Sequence, residues 1–285
     1  MNLICNICQA PATEFASMLV RGKYDALLLR CSNCAFMFIP DPIWLREAYA
    51  EPINHSDTGY VWRNLWARDK MRECIESNLN ADGIFLDYAA GYGLFVRLMR
   101  DAGYDFRWSD LYCQNLFAWG FEAPEPLTGP FEAVTAFEVF EHLTNPTEEM
   151  KKLSAITSCL IFSTQLVPEP APKLEDWWYY GLEHGQHIAF YTRKSLEVLA
   201  KQFGYEFATD GANLHVFSRK QVSPGFLFEP QPPPPIPWWR FLAKQGSKCR
   251  VSRASLTMQD YDFIVKKMEQ ENRRFAAPTS KSASP

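Results

Sequence analysis

Residues Phe85-Leu86-Asp87-Tyr88-Ala89-Ala90-Gly91-Tyr92-Gly93 pass from an apolar run through a carboxylate into small residues at alternate positions. Few local architectures accept that order. A short apolar run closed by glycine suits a strand buried in a parallel sheet, and residues 83–88 are read as one. Leu94, Phe95, Leu98, Met99 and Ala102 then recur at helical spacing, and Gly103 suits the left-handed residue that ends a helix. The glycines therefore fall in a strand-to-helix turn, where a missing Cβ lets a ligand approach the main chain. A second strand, Tyr104–Ser109, ends at Asp110, 19 positions after Gly91. That is close to the roughly 20-residue interval at which an acid meets a ribose. The chain is expected to be α/β and to bind a nucleoside at this turn.

The dinucleotide fingerprint Gly-x-Gly-x-x-Gly would need glycine at position 96, where Val96 stands. Asp87-x-Ala89-x-Gly91-x-Gly93 instead resembles motif I of the class I S-adenosylmethionine-dependent methyltransferases, with Ala89 in place of the usual first glycine. Phe131-Glu132-Ala133-Val134-Thr135-Ala136-Phe137-Glu138-Val139-Phe140-Glu141-His142-Leu143 is similar to that family's fourth strand and the Glu-His segment after it. The resemblance covers about residues 81–218 and implies a Rossmann-like class I methyltransferase fold. It also implies S-adenosylmethionine as cofactor. Asp110 would then accept from the ribose hydroxyls, Asp87 would orient the turn and the donor's ammonium group, and Ala89, Gly91 and Gly93 would pass beneath the amino-acid part. Phe137 and Glu138 would lie at the carboxyl end of the fourth strand, where open α/β sheets bind ligands. Glu138 and Glu141 equally fit the solvated start of a helix.

Four of the eight cysteines form Cys5-x-x-Cys8 and Cys31-x-x-Cys34, a two-knuckle spacing suited to tetrahedral coordination of structural zinc by four thiolates. A redox dithiol is the alternative. Leu27-Leu28-Leu29 and Phe36-Met37-Phe38 read as strands of a zinc ribbon over residues 1–40, a unit too small to fold without its metal. Cys74, Cys113, Cys159 and Cys249 have no such spacing and read as packing residues. Residues 41–80 form a linker or lid with helices over 43–50 and 60–79, rich in Trp44, Tyr49, Tyr60, Trp62 and Trp66. The methyltransferase resemblance implies that residues before motif I fold over the donor, which makes Asp57-x-Gly59-x-x-x-Arg63-Asn64 a candidate lid element; the aromatics equally suit a core face.

After a fifth strand, Cys159–Ser163, comes a proline-rich insertion with Trp177-Trp178-Tyr179-Tyr180, then Glu183-His184-Gly185-Gln186-His187-Ile188-Ala189-Phe190-Tyr191-Thr192. Long insertions at the carboxyl edge of a sheet are commonly functional. Thr192 suits the N-cap of a helix with Leu196, Leu199, Ala200 and Phe203 on one face and Gly204 at its end. His187-Ile-Ala-Phe-Tyr-Thr resembles a segment of the zinc-ribbon sugar C-methyltransferases. The resemblance implies His187 as general base, with His184 the second candidate. Those enzymes carry a further large domain where this chain has a short tail, which leaves O-methylation open beside C-methylation.

The methyltransferase region is assigned to residues 81–220, a Pro-rich linker to 221–237, and a basic aromatic tail with one amphipathic helix to 238–285. That helix is expected over Thr257–Phe275, with Met258, Tyr261, Ile264, Val265 and Met268 on its apolar face. Residues 220–285 hold 11 Lys and Arg against 5 Asp and Glu, whereas the whole chain carries −4, so the first 219 residues are strongly acidic. The acidity argues against a nucleic-acid partner. Trp238, Trp239, Phe241 and Leu242 beside Arg240, Lys244, Lys248, Arg250 and Arg253 suit a peripheral membrane contact or a glycan-assembly partner; docking of the tail on its own domain or on a second copy is the other reading. No run reaches the ~18 apolar residues of a spanning helix and the first residues lack a signal peptide's regions, so a cytoplasmic location is expected. The favoured activity is methyl transfer to a small molecule, with a sugar or glycan precursor as acceptor. An RNA methyltransferase, or a non-catalytic assembly partner of the same fold, are the alternatives.

Overall fold

The computed structural model describes residues 3–50, 58–227 and 253–276. Near the N-terminus, β1 (Ala12–Val20), β2 (Tyr24–Cys31) and β3 (Met37–Phe38) pair antiparallel. The two ribbon strands read from the sequence fall in β2 and around β3. No apolar alternation marks β1, because much of it stays accessible. The helix expected over 43–50 shrinks to one turn, α1 (Leu45–Ala48), whereas α2 (Tyr60–Asn78) has nearly the expected length.

The strand-turn-helix at residues 84–101 is present as β4 (Ile84–Tyr88) and α3 (Leu94–Asp101), followed by β5 (Asp105–Ser109). Next come β6 (Ala133–Phe137), α4 (Pro146–Ile156), β7 (Cys159–Ser163), β8 (Ala189–Phe190), α5 (Arg193–Gln202), β9 (Glu206–Thr209) and β10 (Leu214–Ser218). The central sheet has the order β5-β4-β6-β7-β10-β9. Its first four strands are parallel, and β10 runs antiparallel to both neighbours. Burial on both faces explains the continuous apolar runs: Phe85 and Leu86, like Leu160 and Phe162, are fully buried. Thr192 caps α5 as its residue type suggests, accepting the Ser195 amide at 3.1 Å.

β8 does not join this sheet. It pairs antiparallel with β3, Met37 opposite Phe190 and Phe38 opposite Ala189, and makes the N-terminal sheet four-stranded. Cys5, Cys31, Cys34 and Phe36 share one apolar core with Leu86, Phe140 and Tyr191. The first forty residues are thus built into the larger unit rather than folded apart from it. A strand of two residues gives no signal of its own.

The C-terminal helix follows the own-domain reading of the tail rather than the membrane or partner one. α6 (Thr257–Ala276) docks on α3: the Arg100 guanidinium donates twice to the Asp260 carboxylate at 2.8 Å, and Arg97 Nη2 adds a third bond at 2.7 Å. Phe263 packs on Phe121, and Arg253, assigned above to anionic headgroups, pairs with Asp82 at 2.7 Å and the Gly103 carbonyl at 3.1 Å. Met258, Tyr261 and Met268 of the expected apolar face are exposed, while Ile264 of that face lies against Gly120, so the docked side combines the Asp260 ion pairs with Phe263 and Ile264. Phe226 and Leu227 also enter the core, so the fold extends beyond residue 220. Trp238 to Arg250, Cys249 and Asp57 lie outside the described residues.

Asp260→Ala should destabilise the protein by about 3 kcal/mol, since it leaves Arg97 and the buried Arg100 with one acid fewer. Burial raises the Asp260 carboxyl, but Arg100 and Arg97 outweigh it and hold the group below its usual range. A depressed folded value stabilises above the ordinary carboxylate pKa of about 4 and is lost as the pH falls further. Denaturant titrations of both proteins should therefore differ at pH 7, and the difference should shrink as the pH is lowered below about 4.

Candidate active site

The turn after β4 is held open by its neighbours. Ala89 (φ 55°) and Gly91 (φ 55°) are left-handed, so Ala89 occupies a conformation that glycine adopts more cheaply. Trp108 Nε1 donates to the Gly91 carbonyl at 2.9 Å, and the Gly91 amide donates to Asp110 Oδ2 at 2.9 Å. A Cβ on Gly93 (φ 84°) would come within 3.0 Å of Asn115 Oδ1 and 3.1 Å of the Ala118 Cβ. Asp110 ends β5, half-buried, and its Oδ1 accepts the amides of Tyr112 and Cys113 at 2.7 and 2.8 Å. The backbone thus presents this carboxylate without needing another side chain.

Asp87 is buried at the end of β4, where Thr135 Oγ1 donates to its Oδ1 at 2.7 Å. Desolvation lifts its carboxyl to about 7, Thr135 opposing and Asp110 adding to the rise. Phe137 ends β6 edge-on to Phe95, ring centroids 5.1 Å apart. Glu138 follows with φ 54°, and its strained backbone is secured by Ser163: the hydroxyl donates to Glu138 Oε1 at 2.6 Å and accepts the Glu138 amide at 2.8 Å.

A short helical turn, Phe140–His142, then drops into the core. Glu141 is fully buried rather than the solvated helix start that its charge suggested. Desolvation and the Glu138 charge push its carboxyl up to about 8, partly opposed by the Tyr179 and Thr164 hydroxyls nearby. Neither of its oxygens has a hydrogen-bond partner among the described residues. His142 and His187 stand edge to face, ring centroids 5.1 Å apart. His142 Nδ1 lies 3.1 Å from the Gln186 carbonyl and His187 Nδ1 2.7 Å from the Tyr179 carbonyl, so each donates there and keeps a lone pair on Nε2. Burial holds both imidazoles below their ordinary value, His142 at about 4, and therefore neutral near pH 7. His184 differs. Its Nδ1 accepts the Gln186 amide at 3.0 Å, which leaves Nε2 protonated and no free lone pair. The assisting-base role expected for His184 has no lone pair to serve it.

One cleft of 1370 Å³ joins these parts, lined by Gly91, Asp110 and Phe137 at one end and by His142, Tyr179 and His187 at the other. Trp62 and Arg63 of α2 border it, as does Tyr112 after β5. The sequence pointed to both ends but not to their connection. In the sequence Glu141 and His142 carry only the family resemblance and, for Glu141, a solvated helix start; the usable signal is a carboxylate and an imidazole soon after an uninterrupted apolar strand.

Away from the cleft, Cys5, Cys8, Cys31 and Cys34 bring their sulfurs within 4.8 Å of one another. The Cys5–Cys34 and Cys8–Cys31 pairs are 3.7 and 3.4 Å apart, too long for a disulfide. Tetrahedral sulfurs ~2.3 Å from one ion would lie roughly 3.8 Å apart. Amides of Ile7 and Cys34 point at Cys5 Sγ and Cys31 Sγ, each at 3.4 Å, which suits thiolates.

The methyltransferase domain family model matches residues 62–209, just over half of the chain. The chain belongs to that methyltransferase family. It therefore carries an S-adenosylmethionine-dependent methyltransferase domain of the Rossmann-like class I fold. No curated protein matches the methyltransferase sequence. Solved structures similar to it include OxaC (17% identity, TM-score 0.41, covering 54% of this chain and 47% of OxaC). The PH0226 protein from Pyrococcus horikoshii OT3 is 15% identical with a TM-score of 0.45 over 58% of this chain and 93% of its own. Magnesium protoporphyrin IX methyltransferase from Synechocystis PCC 6803, with bound SAH, is 15% identical with a TM-score of 0.42, covering 62% of this chain and 96% of its own. The methyltransferase spans about half the length of OxaC.

Asp87→Asn should stabilise the ligand-free methyltransferase. A carboxyl raised from about 4 to about 7 destabilises the fold increasingly as pH rises between those values. The gain in denaturant midpoint should be larger at pH 8 than at pH 5; an equal gain at both would show that Asp87 is not desolvated.

Proposed function

We propose that the methyltransferase acts on a small molecule, with a sugar or glycan precursor as the favoured acceptor, at oxygen or carbon. The reading rests chiefly on the single cleft that joins the glycine turn to the histidines. Bound S-adenosylmethionine supplies an electrophilic sulfonium methyl. Asp110 faces the ribose, Ala89 to Gly93 pass beneath the amino-acid part, and Asp87 with Glu138 places negative charge near the donor's cationic groups. Phe137 and the aromatics of the rim exclude water. His187, with a free Nε2 on the acceptor side, is the candidate to take the acceptor's proton, and the rate comes mainly from holding the acceptor in line.

Structural zinc in the four-cysteine cluster is part of the same proposal. It would cross-link the two loops that precede and follow β1 and β2, and four thiolates leave no open position for catalysis. Trp238 to Arg250 supply the residues for a peripheral membrane or glycan-assembly contact, if one is made through the tail. Among the described residues no helix is long and apolar enough to cross a membrane.

Asp110→Ala should weaken donor binding by about 1.5–3 kcal/mol, the scale of hydrogen bonds to a charged group. His187→Ala should leave donor affinity nearly unchanged and lower turnover by ~10²-fold or more. Calorimetry with S-adenosylmethionine and single-turnover methylation of the acceptor identified in extracts separate the two. Unaltered donor affinity in a folded Asp110→Ala protein would sink the placement.

Elemental analysis should find one zinc per chain. Cys31→Ser should release it and lower the melting temperature; retained metal and unchanged stability would count against a structural site.

A further inference from the structure

Glu141, His142 and His187 each offer a ligand atom, and these three atoms lie within 4.8 Å of one another. We propose that they form a divalent-cation site at the floor of the acceptor end of the cleft, where the cation holds and polarises an acceptor hydroxyl. The proposal rests on the methyltransferase reading and deepens it, because it selects an oxygen acceptor.

Three observations carry it. Each imidazole gives its Nδ1–H to a backbone carbonyl, His142 to Gln186 and His187 to Tyr179, which fixes the ring and leaves Nε2 to ligate. Metal-binding histidines are held in this way. Glu141 is fully buried, yet neither of its oxygens has a hydrogen-bond partner among the described residues. The Tyr179 and Thr164 hydroxyls lie near enough to oppose the rise in its pKa but make no hydrogen bond of ordinary geometry to it, so its burial is only weakly compensated and a cation would supply the missing partner. Finally, Glu138 stands beside Glu141 and strengthens the negative potential. The donor set is distinct from the four-cysteine cluster. Two imidazole nitrogens and one carboxylate suit a first-row divalent ion that also takes oxygen ligands, and three protein donors leave positions open. His142 and His187 line the cleft, so those positions face the acceptor.

Coordination lowers the pKa of a hydroxyl. The acceptor's proton leaves to water at the cleft mouth, and its oxygen pair forms the O–CH₃ bond. The S–CH₃ bond breaks as this happens, and its electron pair returns to the donor sulfur. His187 is then a ligand, and the cation replaces it as the agent of deprotonation.

The test is titration of the full-length protein, its zinc left in place, with Mn²⁺ alone, followed by electron paramagnetic resonance. Wild type should bind one Mn²⁺, or contain one further divalent ion as purified. Glu141→Gln and His142→Ala should weaken that binding at least ~100-fold, and Cys31→Ser should retain it. Without added cation and at about pH 9, where the Glu141 carboxyl is ionised, Glu141→Gln should melt above the parent, since it removes a desolvated carboxylate, which also shows that the variant folds. No Mn²⁺ bound and no further ion in wild type, or undiminished binding in both variants, overturns the site. Donor binding in the same samples is read separately: its loss counts against the methyltransferase reading, whereas lost Mn²⁺ binding with donor binding kept counts against the cation site alone.

Discussion

His187 is positioned from both sides by main-chain contacts at the next three residues. The Ile188 amide donates to the Glu141 carbonyl at 2.8 Å, which ties the histidine segment to the turn after β6. Its carbonyl accepts the Ile39 amide at 2.9 Å, and Ala189 and Phe190 pair with β3. β3 in turn follows Cys31 and Cys34 directly. The cysteine cluster and the acceptor end of the cleft are therefore parts of one hydrogen-bonded structure. The same loop is tied again through Trp44 Nε1 to the Gly185 carbonyl at 2.7 Å and Gln186 Nε2 to the Ala48 carbonyl at 2.9 Å. A metal among the cysteines would stiffen a sheet whose last strand carries the histidine loop, a role in positioning that needs no contact with a ligand in the cleft.

The cleft floor follows from a different constraint, the scarcity of hydrogen bonds at the carboxyl ends of buried strands. Asp87 has Thr135, Glu138 has Ser163, and Glu141 has neither amide nor hydroxyl bound to its oxygens among the described residues. Desolvation raises the carboxyl groups of Asp87 and Glu141, and a cationic partner would offset that burial. A sulfonium donor at one end and a divalent ion at the other would both relieve this cost. Ligand binding should accordingly stabilise the protein well beyond the contact area involved.

α6 shows how charge can decide docking where apolar pattern does not. Its helix period was readable, but the face it presents is chosen by Asp260, because Arg97 and Arg100 of α3 need an acid at that place. Exposed Met258 and Tyr261 lie elsewhere on the helix. The ion pair joins residues 160 positions apart, and no local rule could have indicated it.

The sequence by itself determined the β4 turn, the parallel strands around it, the paired cysteines and the helix periods, since each depends on residues close together in the chain. Glycine's freedom, apolar runs and knuckle spacing are local properties. It also singled out Asp87, Asp110 and His187, though not what surrounds them. Only the tertiary structure decided that β8 would complete the N-terminal sheet, that Glu141 would be buried without a partner beside two imidazoles, and that His184 would spend its lone pair on Gln186. Those outcomes depend on desolvation and on hydrogen bonds between distant segments, and neither is encoded at any single position.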